Sequence, residues 1–425
     1  MHADIDPIDV DKAIRNKITI APSQPLRMLM WLFVFIGIGS FTCGLFKGNP
    51  AIIWASYYTS FIFFMGLACG SIIITAIWQI VRARWSPPLR RFAEANVAFL
   101  PWAFILFLIT YFGSSYLFPW AVKGQVMPGR EWWMTPDFVY GRFAVLFFIL
   151  FAYLAYFVKL SLRADIALLR EKGENKHFWD QWFAKCITCS YKGDPLVDQR
   201  KLSWNAPVLI FVYAVVFTMF SFEMLKGMDK KWISNLFGAF IFIGNIFIGW
   251  AMLIISTAYH SKRNENYNET IGKQQYWDLG KLTFAFTMLW GYFFFSQFLT
   301  QWYGNLPEET QWLIARTREF PWKGLSWVVF GACFVFPFVT LVGEDIKRVP
   351  KYLSVISLVI LLGVWFERYI IVMPNISPSV IPFGLYDVGI FLGFLGVYVL
   401  SVQTFLKNMP FLPVTHPLSR NSLEW

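Results

Sequence analysis

Histidine is scarce in this chain, and that scarcity limits its chemistry. Among 425 residues there are four, His2, His177, His260 and His416, and only His260 falls at the end of a long apolar stretch. A transmembrane b-type haem takes two axial ligands from facing helices. This supply leaves only His–Met or single-ligand haem. Cysteine is nearly as sparse. Cys43, Cys69 and Cys333 lie in apolar stretches and read as packing residues. Cys186 and Cys189 form a lone Cys-x-x-Cys, with His177 nearby upstream. Zinc and iron–sulfur sites need four suitably spaced ligands, so a reduced, unliganded pair is expected. No Walker loop or glycine-rich dinucleotide fingerprint follows a strand. The expectation is a chain without a metal or redox cofactor of its own.

Charge is also thin on the ground. Charged residues make up 15% of the chain, against about 25% in ordinary soluble domains. No polar segment exceeds about 40 residues, which leaves no room for a separate catalytic domain. The first 25 residues carry neither the apolar core nor the cleavage site of a secretory signal.

What the chain has in abundance is apolar length. Residues are 57% hydrophobic and 20% aromatic. Ten stretches are long enough for a helix to cross a hydrocarbon core of about 30 Å, which takes about 20 residues. They cover 26–46, 52–81, 92–118, 136–162, 203–225, 235–259, 277–303, 322–342, 352–373 and 385–406. The fold class expected is therefore all-α: a polytopic membrane protein of ten transmembrane helices. A tail of residues 1–25, a membrane domain of 26–406 and a tail of 407–425 make up the chain, with its largest loop at 163–202.

The net charge of +11 follows membrane sides and does not read as a nucleic-acid footprint. The termini and the loops on their side hold twenty-four Lys and Arg; the opposite loops hold nine. The positive-inside rule puts both termini in the cytoplasm. The opposite loops are short and rich in Trp and Pro, as in Phe118-Pro119-Trp120 and Glu131-Trp132-Trp133, and suit an interfacial aromatic belt facing lipid.

Ionisable residues inside membrane spans are the first functional candidates. Here they form two tiers. The outer tier holds Asp137, Arg142, Glu223, Glu367, Arg368 and Asp387; the inner holds Glu94, Lys159, His260, Asp278 and Lys281. Between them lie neutral groups such as Thr110, Asn245, Tyr292, Ser296 and Gln297. Most of the charges lie within two turns of a helix end, about 11 Å, so Lys159 and Arg368 are within snorkelling reach of the interface. Asp278 and Lys281, three apart, can share a helix face. Glu367 and Arg368 point about 100° apart, so they should face different neighbours, with Glu367 inward. Three readings stay open: structural ion pairs, two proton half-paths meeting at a neutral middle, or a polar ligand site. Small residues mark helix contacts: Gly66 with Gly70, Gly389 with Gly393, and Thr283, Thr287 and Gly291.

Several strings taken together resemble a known family. They are Ala83-Arg84-Trp85, Arg90-Arg91-Phe92-Ala93-Glu94, Tyr116-Leu117-Phe118-Pro119-Trp120, Leu236-Phe237-Gly238-Ala239 and Gly244-Asn245. They continue with Asp278-Leu279-Gly280-Lys281, Trp302-Tyr303-Gly304-Asn305-Leu306-Pro307-Glu308-Glu309, Trp365-Phe366-Glu367-Arg368-Tyr369 and Phe411-Leu412-Pro413. In order and spacing the chain resembles the F subunit of bacterial alternative complex III, in the NrfD, or polysulfide-reductase, membrane-subunit family. The resemblance covers about residues 30–415, and Trp302 to Glu309 is its most specific piece.

The resemblance implies two four-helix bundles, here about 52–225 and 235–373, flanked by the first and last helices. It implies a bacterial inner-membrane complex, respiratory or photosynthetic, that oxidises quinol and reduces a periplasmic cytochrome c or copper protein. Partners would be a second NrfD-like membrane subunit, an iron–sulfur subunit, c-type cytochrome subunits carrying haem c, and small membrane subunits. The better-supported quinol pocket of such complexes lies in the second NrfD-like subunit, so a quinol here has family support but no residue of its own. Proton paths have been proposed for such subunits, and Glu94, Asp278, Lys281, Glu367 and Arg368 fall inside matched strings. The runner-up is the quinone-binding anchor of a molybdopterin-type reductase. From another class comes a stand-alone secondary transporter, whose broken helices would recur at corresponding places in two halves. Only Pro101 and Pro337 lie well inside a span, so that signal is weak.

Overall fold

Ten long apolar runs become ten long helices, and their starts follow from local chemistry. Ser23 accepts the N–H of Leu26 at 3.4 Å and Asn49 that of Ala51 at 3.0 Å, each with proline in the first turn. Such caps satisfy N–H groups that have no intrahelical acceptor. The computed structural model describes residues 20, 23–122, 129, 131–172, 187–188, 194–229 and 232–413. His2, His177, Cys186, Cys189 and His416 lie outside the described residues.

The spans are α1 Gln24–Lys47, α2 Pro50–Val81, α3 Pro87–Leu117, α4 Pro136–Arg170, α5 Pro195–Met228, α6 Phe237–Arg263, α7 Lys273–Gly304, α8 Trp322–Val342, α9 Pro350–Asn375 and α10 Leu385–Asn408. Among the described residues all regular structure is helical. The chain is an all-α, multi-pass membrane protein.

Helices α2–α5 pack as one four-helix bundle and α6–α9 as a second. The seam between them is α2 against α6, with α5 also touching α6 and α2 also touching α9. Helix α2 is the most deeply covered span. Helices α1 and α10 pack together, Gly37 lying on Gly393, and α10 rests on α2 and α3. The N–H of Ile20 meets the carbonyl of Leu406 at 3.1 Å, so the start of α1 and the end of α10 share one face of the bundle. That face is called the terminal face below.

Some expected boundaries move. Helix α3 begins at Pro87 rather than 92, the helix of α4 continues to Lys172, and α5 begins at Pro195 rather than 203. The loop expected over 163–202 is thus helical at both ends. At those ends Arg163 of α4 holds Asp198 of α5 beyond the apolar slab, so low hydropathy there does not mean loop. Proline also sits inside α5, at Pro207.

Apart from the 3₁₀ turns that close α5 (Lys226–Met228) and α9 (Met373–Asn375), three helices are irregular in their interior among the described residues. Helix α3 tightens to 3₁₀ turns at Ala95–Phe99 and Thr110–Gly113, while α5 and α8 carry π turns at Ser221–Leu225 and Gly331–Val335. They are the second and fourth helices of one bundle and the third of the other. The breaks do not recur at corresponding places in the two halves.

Candidate functional site

At the seam, away from the terminal face, one polar cluster is wholly enclosed. It starts with Asn245 on α6, which packs on Gly66 of α2. Only a residue without a side chain leaves room for the amide there. The next glycine on α2, Gly70, lies against the backbone of Asn245 and Ile246. Gly244 clears space on the opposite side, where a methyl group would come within 2.9 Å of Arg368 Nη2. The guanidinium of Arg368, from α9, lies in that space with 0% exposure. Its Nη2 donates to Asn245 Oδ1 at 3.3 Å and to the carbonyl of Ile241 at 3.4 Å, and its Nη1 to Glu367 Oε1 at 2.7 Å. The other carboxylate oxygen, Oε2, accepts the indole N–H of Trp290 on α7 at 2.7 Å. Helices α2, α6, α7 and α9 are thus tied at one point.

One sequence expectation is corrected here and one is met. Arg368 does not snorkel to the interface: it is buried. Glu367 and Arg368 do face different neighbours, with Glu367 inward: the carboxylate meets Trp290 of α7 and the guanidinium Asn245 and Ile241 of α6. The long guanidinium also turns back across the 100° between them and pairs with the carboxylate. Helical phase sets where a side chain leaves the backbone, not where an arginine head ends.

The cluster is not saturated. Arg368 Nε and Asn245 Nδ2 are buried without a hydrogen-bond partner among the described residues. Buried donors nearly always have partners, protein or water, so this is a place suited to ordered water.

A second charged cluster lies at the terminal face, joining α2, α3, α4 and α5. Arg91 pairs with Glu94 and Asp165 and donates to the Ser161 hydroxyl at 3.0 Å and carbonyl at 2.9 Å. Arg90 meets Glu94 at 3.0 Å and Gln79 Oε1 at 3.0 Å. Arg163 holds Asp198 through two bonds. Three guanidinium groups face three carboxylates, and all six are buried. The arrangement is a neutral clamp. Arg90, Arg91, Arg163, Asp165 and Asp198 were not among the sequence candidates, because they stood in apparent loops; the three- and four-residue spacing to Glu94 was a readable signal.

The remaining candidates are dispersed. His260 is half-buried, stacked on Phe92 at 5.1 Å. Asp278 pairs with Lys281 at 2.6 Å, but the lysine is 45% exposed and lies over Trp277. Arg142 pairs with Glu223, which sits in the π turn of α5 and accepts the Trp133 N–H at 3.3 Å. Asp387 accepts the Ser56 hydroxyl and the Gly384 N–H, holding the start of α10. Asp137 meets the Tyr111 hydroxyl.

The two buried clusters do not touch. Along α2, Gly66 lies at the upper cluster and Gln79 at the lower, about 20 Å apart at 1.5 Å per residue. The stretch between carries no charged side chain on α2 or α6; beside Ile72, Ile73, Ile248 and Trp250 it holds the buried hydroxyls of Ser71, Thr75 and Thr257.

One cleft, of about 320 Å³, opens beyond the ends of α5, α8 and α9 and includes Asp229, Trp312, Arg316, Trp322 and Asn375. Arg316 lies on the surface helix Pro307–Thr317 and stacks on Trp312 at 4.0 Å. It donates to the carbonyls of Trp312, Ile370 and Ile371 and to Asn375. Burial pulls its guanidinium down to about 9 against the opposing pull of Asp229, so it is charged at neutral pH and fastens the surface helix to α9.

No protein-family model matches this chain, and no curated protein matches it either.

Proposed function

We propose that this chain is the haem-free membrane subunit of a quinol:electron-acceptor oxidoreductase of the alternative complex III type, seated in a bacterial inner membrane with both termini cytoplasmic. It anchors the complex and handles protons at the seam. Haem c and iron–sulfur clusters belong to the partner subunits, and quinol to the second NrfD-like subunit, where the resemblance places it.

The observation that carries the proton role is the enclosed pair Glu367–Arg368 with its unsaturated donors. A buried ion pair is a poor way to gain stability: apolar replacements of similar volume are often neutral or better. Ionisable groups at membrane depth commonly mark ion or proton pathways. Glu367 is the group that can exchange a proton here. Uptake at Oε2 would compete with the Trp290 N–H, and loss of the carboxylate charge would release Arg368 toward Asn245. The terminal-face clamp sets three guanidinium groups against three carboxylates and serves better as structure. The uncharged stretch of about 20 Å between them, with only neutral polar groups such as Ser71, Thr75 and Thr257, suits two half-paths rather than an open channel. The transporter alternative is disfavoured by helix breaks that do not recur in the two halves.

Mild solubilisation and purification test the assignment. The chain should leave the membrane together with c-type haem absorbance and iron–sulfur signals. A clean haem-free monomer that transports a solute would sink it. For the proton role, Glu367→Gln costs stability because it leaves Arg368 without its carboxylate, but the complex that still assembles should oxidise quinol normally while proton translocation changes. Asp278→Asn, from the half-exposed pair with Lys281, is the comparison. Unchanged translocation in Glu367→Gln would leave the pair as structure alone.

A further inference from the structure

Helix α7 combines two properties that do not belong together in lipid. It is the least apolar of the ten spans, yet α7, α1 and α8 are the least covered by the rest of the chain. Helices α1 and α8 expose side chains that lipid tails solvate well, such as Leu32, Phe35 and Ile38 on one and Val328, Val335 and Val339 on the other. Helix α7 exposes apolar side chains such as Met288 and Phe295 as well, but with them a row of hydroxyls. Tyr292, Ser296, Thr300 and Tyr303 follow at steps of four, four and three residues, which places them in one stripe. Tyr292 is 61% exposed and Tyr303 80%; Thr300 is exposed and Ser296 half-buried.

Depth makes the stripe informative. Tyr303, at the helix end, fits an interfacial belt. Tyr292 lies about 16 Å further in, at 1.5 Å per residue. Its neighbour Gly291 packs on Phe334, close to the midpoint of α8. Tyr292 is therefore at mid-membrane, where hydrocarbon offers a hydroxyl no acceptor. The ten spans are all placed in the bundles or in the α1–α10 pair, so none of them covers it.

We propose that this stripe of α7 is the docking face for a transmembrane helix of another polypeptide. That helix presents small residues and hydroxyl or amide side chains toward Tyr292 and Ser296. Helices in lipid associate through close packing of small residues and interhelical hydrogen bonds. A second copy of this chain fits less well: a two-fold axis along the membrane normal would set the bulky, exposed Tyr292 and Phe295 against their own copies and hold the backbones apart at Ser296. The inference rests on the reading of this chain as one subunit of a complex, but not on its quinol or proton chemistry.

The test places the photoreactive p-benzoylphenylalanine at position 292 or 296 of the full chain, and at Val339 of α8 as a lipid-facing control. Native membranes are irradiated and the adducts mapped by mass spectrometry. The expected result at 292 and 296 is a discrete adduct with a hydrophobic segment of another polypeptide, carrying Gly, Ala, Ser, Thr or Asn at the point of attachment. Position 339 should give lipid adducts. Lipid adducts alone at 292 and 296 overturn the proposal, as does an adduct with a second copy of this chain or with a polar loop. The double variant Tyr292→Phe, Ser296→Ala should lose co-purification of the mapped partner while the chain keeps its own melting temperature. Undiminished co-purification would overturn the part given to the hydroxyls. A mapped helix from a complex without haem or iron–sulfur subunits would sink the oxidoreductase assignment and leave this docking face standing.

Discussion

Trp290 of α7 donates its indole N–H to Glu367 of α9 at 2.7 Å, and both side chains are buried. The bond closes the second bundle on the side away from the seam. On the seam side, the same carboxylate holds Arg368, which reaches Asn245. Disturbance at one end should therefore be felt at the other.

Trp290→Phe keeps the ring that stacks on Phe294 and removes the donor. A hydrogen bond to a charged group contributes about 1.5–3 kcal/mol. The variant should lose stability on that scale, read as a lower melting temperature in detergent. An unchanged melting temperature would mean that another donor reaches Oε2.

Arg368→Met leaves Glu367 as an uncompensated buried charge, a situation that costs about 3–5 kcal/mol. Adding Glu367→Gln should recover most of that loss, because the double variant buries no charge. A double-mutant cycle measured by thermal unfolding checks the coupling; two additive losses would show that the residues act apart.

Gly70→Ala should separate α2 from α6, because the new methyl group would meet the backbone of Asn245 and Ile246, which cannot give way as a side chain end can. Overpacking typically costs about 1–3 kcal/mol. Gly39→Ala, with open space around it, should be silent. Yield of folded protein after solubilisation distinguishes the two.

Asp198→Ala should fray the ends of α4 and α5 that project beyond the apolar slab, since it removes both carboxylate bonds to Arg163. Loss of one partner from a buried pair is again worth about 3–5 kcal/mol. Protease cleavage between 163 and 202 should speed up, while Arg348→Ala, which breaks an exposed pair with Glu344, should change little.

Much of this was legible along the chain. Apolar length alone separates ten spans, because a helix must satisfy its backbone internally and needs a set number of residues to cross hydrocarbon. Near-neighbour spacing made Asp278 with Lys281 readable as a pair, and Arg90 and Arg91 with Glu94 were as readable in principle. The helical extensions at 163–172 and 195–202 were not, because hydropathy is blind to charges that neutralise one another across a helix pair.

What tertiary structure alone decided is which charges are enclosed. Arg368 and Asn245 stand 123 positions apart, and nothing in either helix says that Gly66 and Gly244 clear the space where they meet. Hydropathy and periodicity are properties of one helix at a time. Enclosure depends on how several helices pack, and on where a long side chain finds an acceptor once they have.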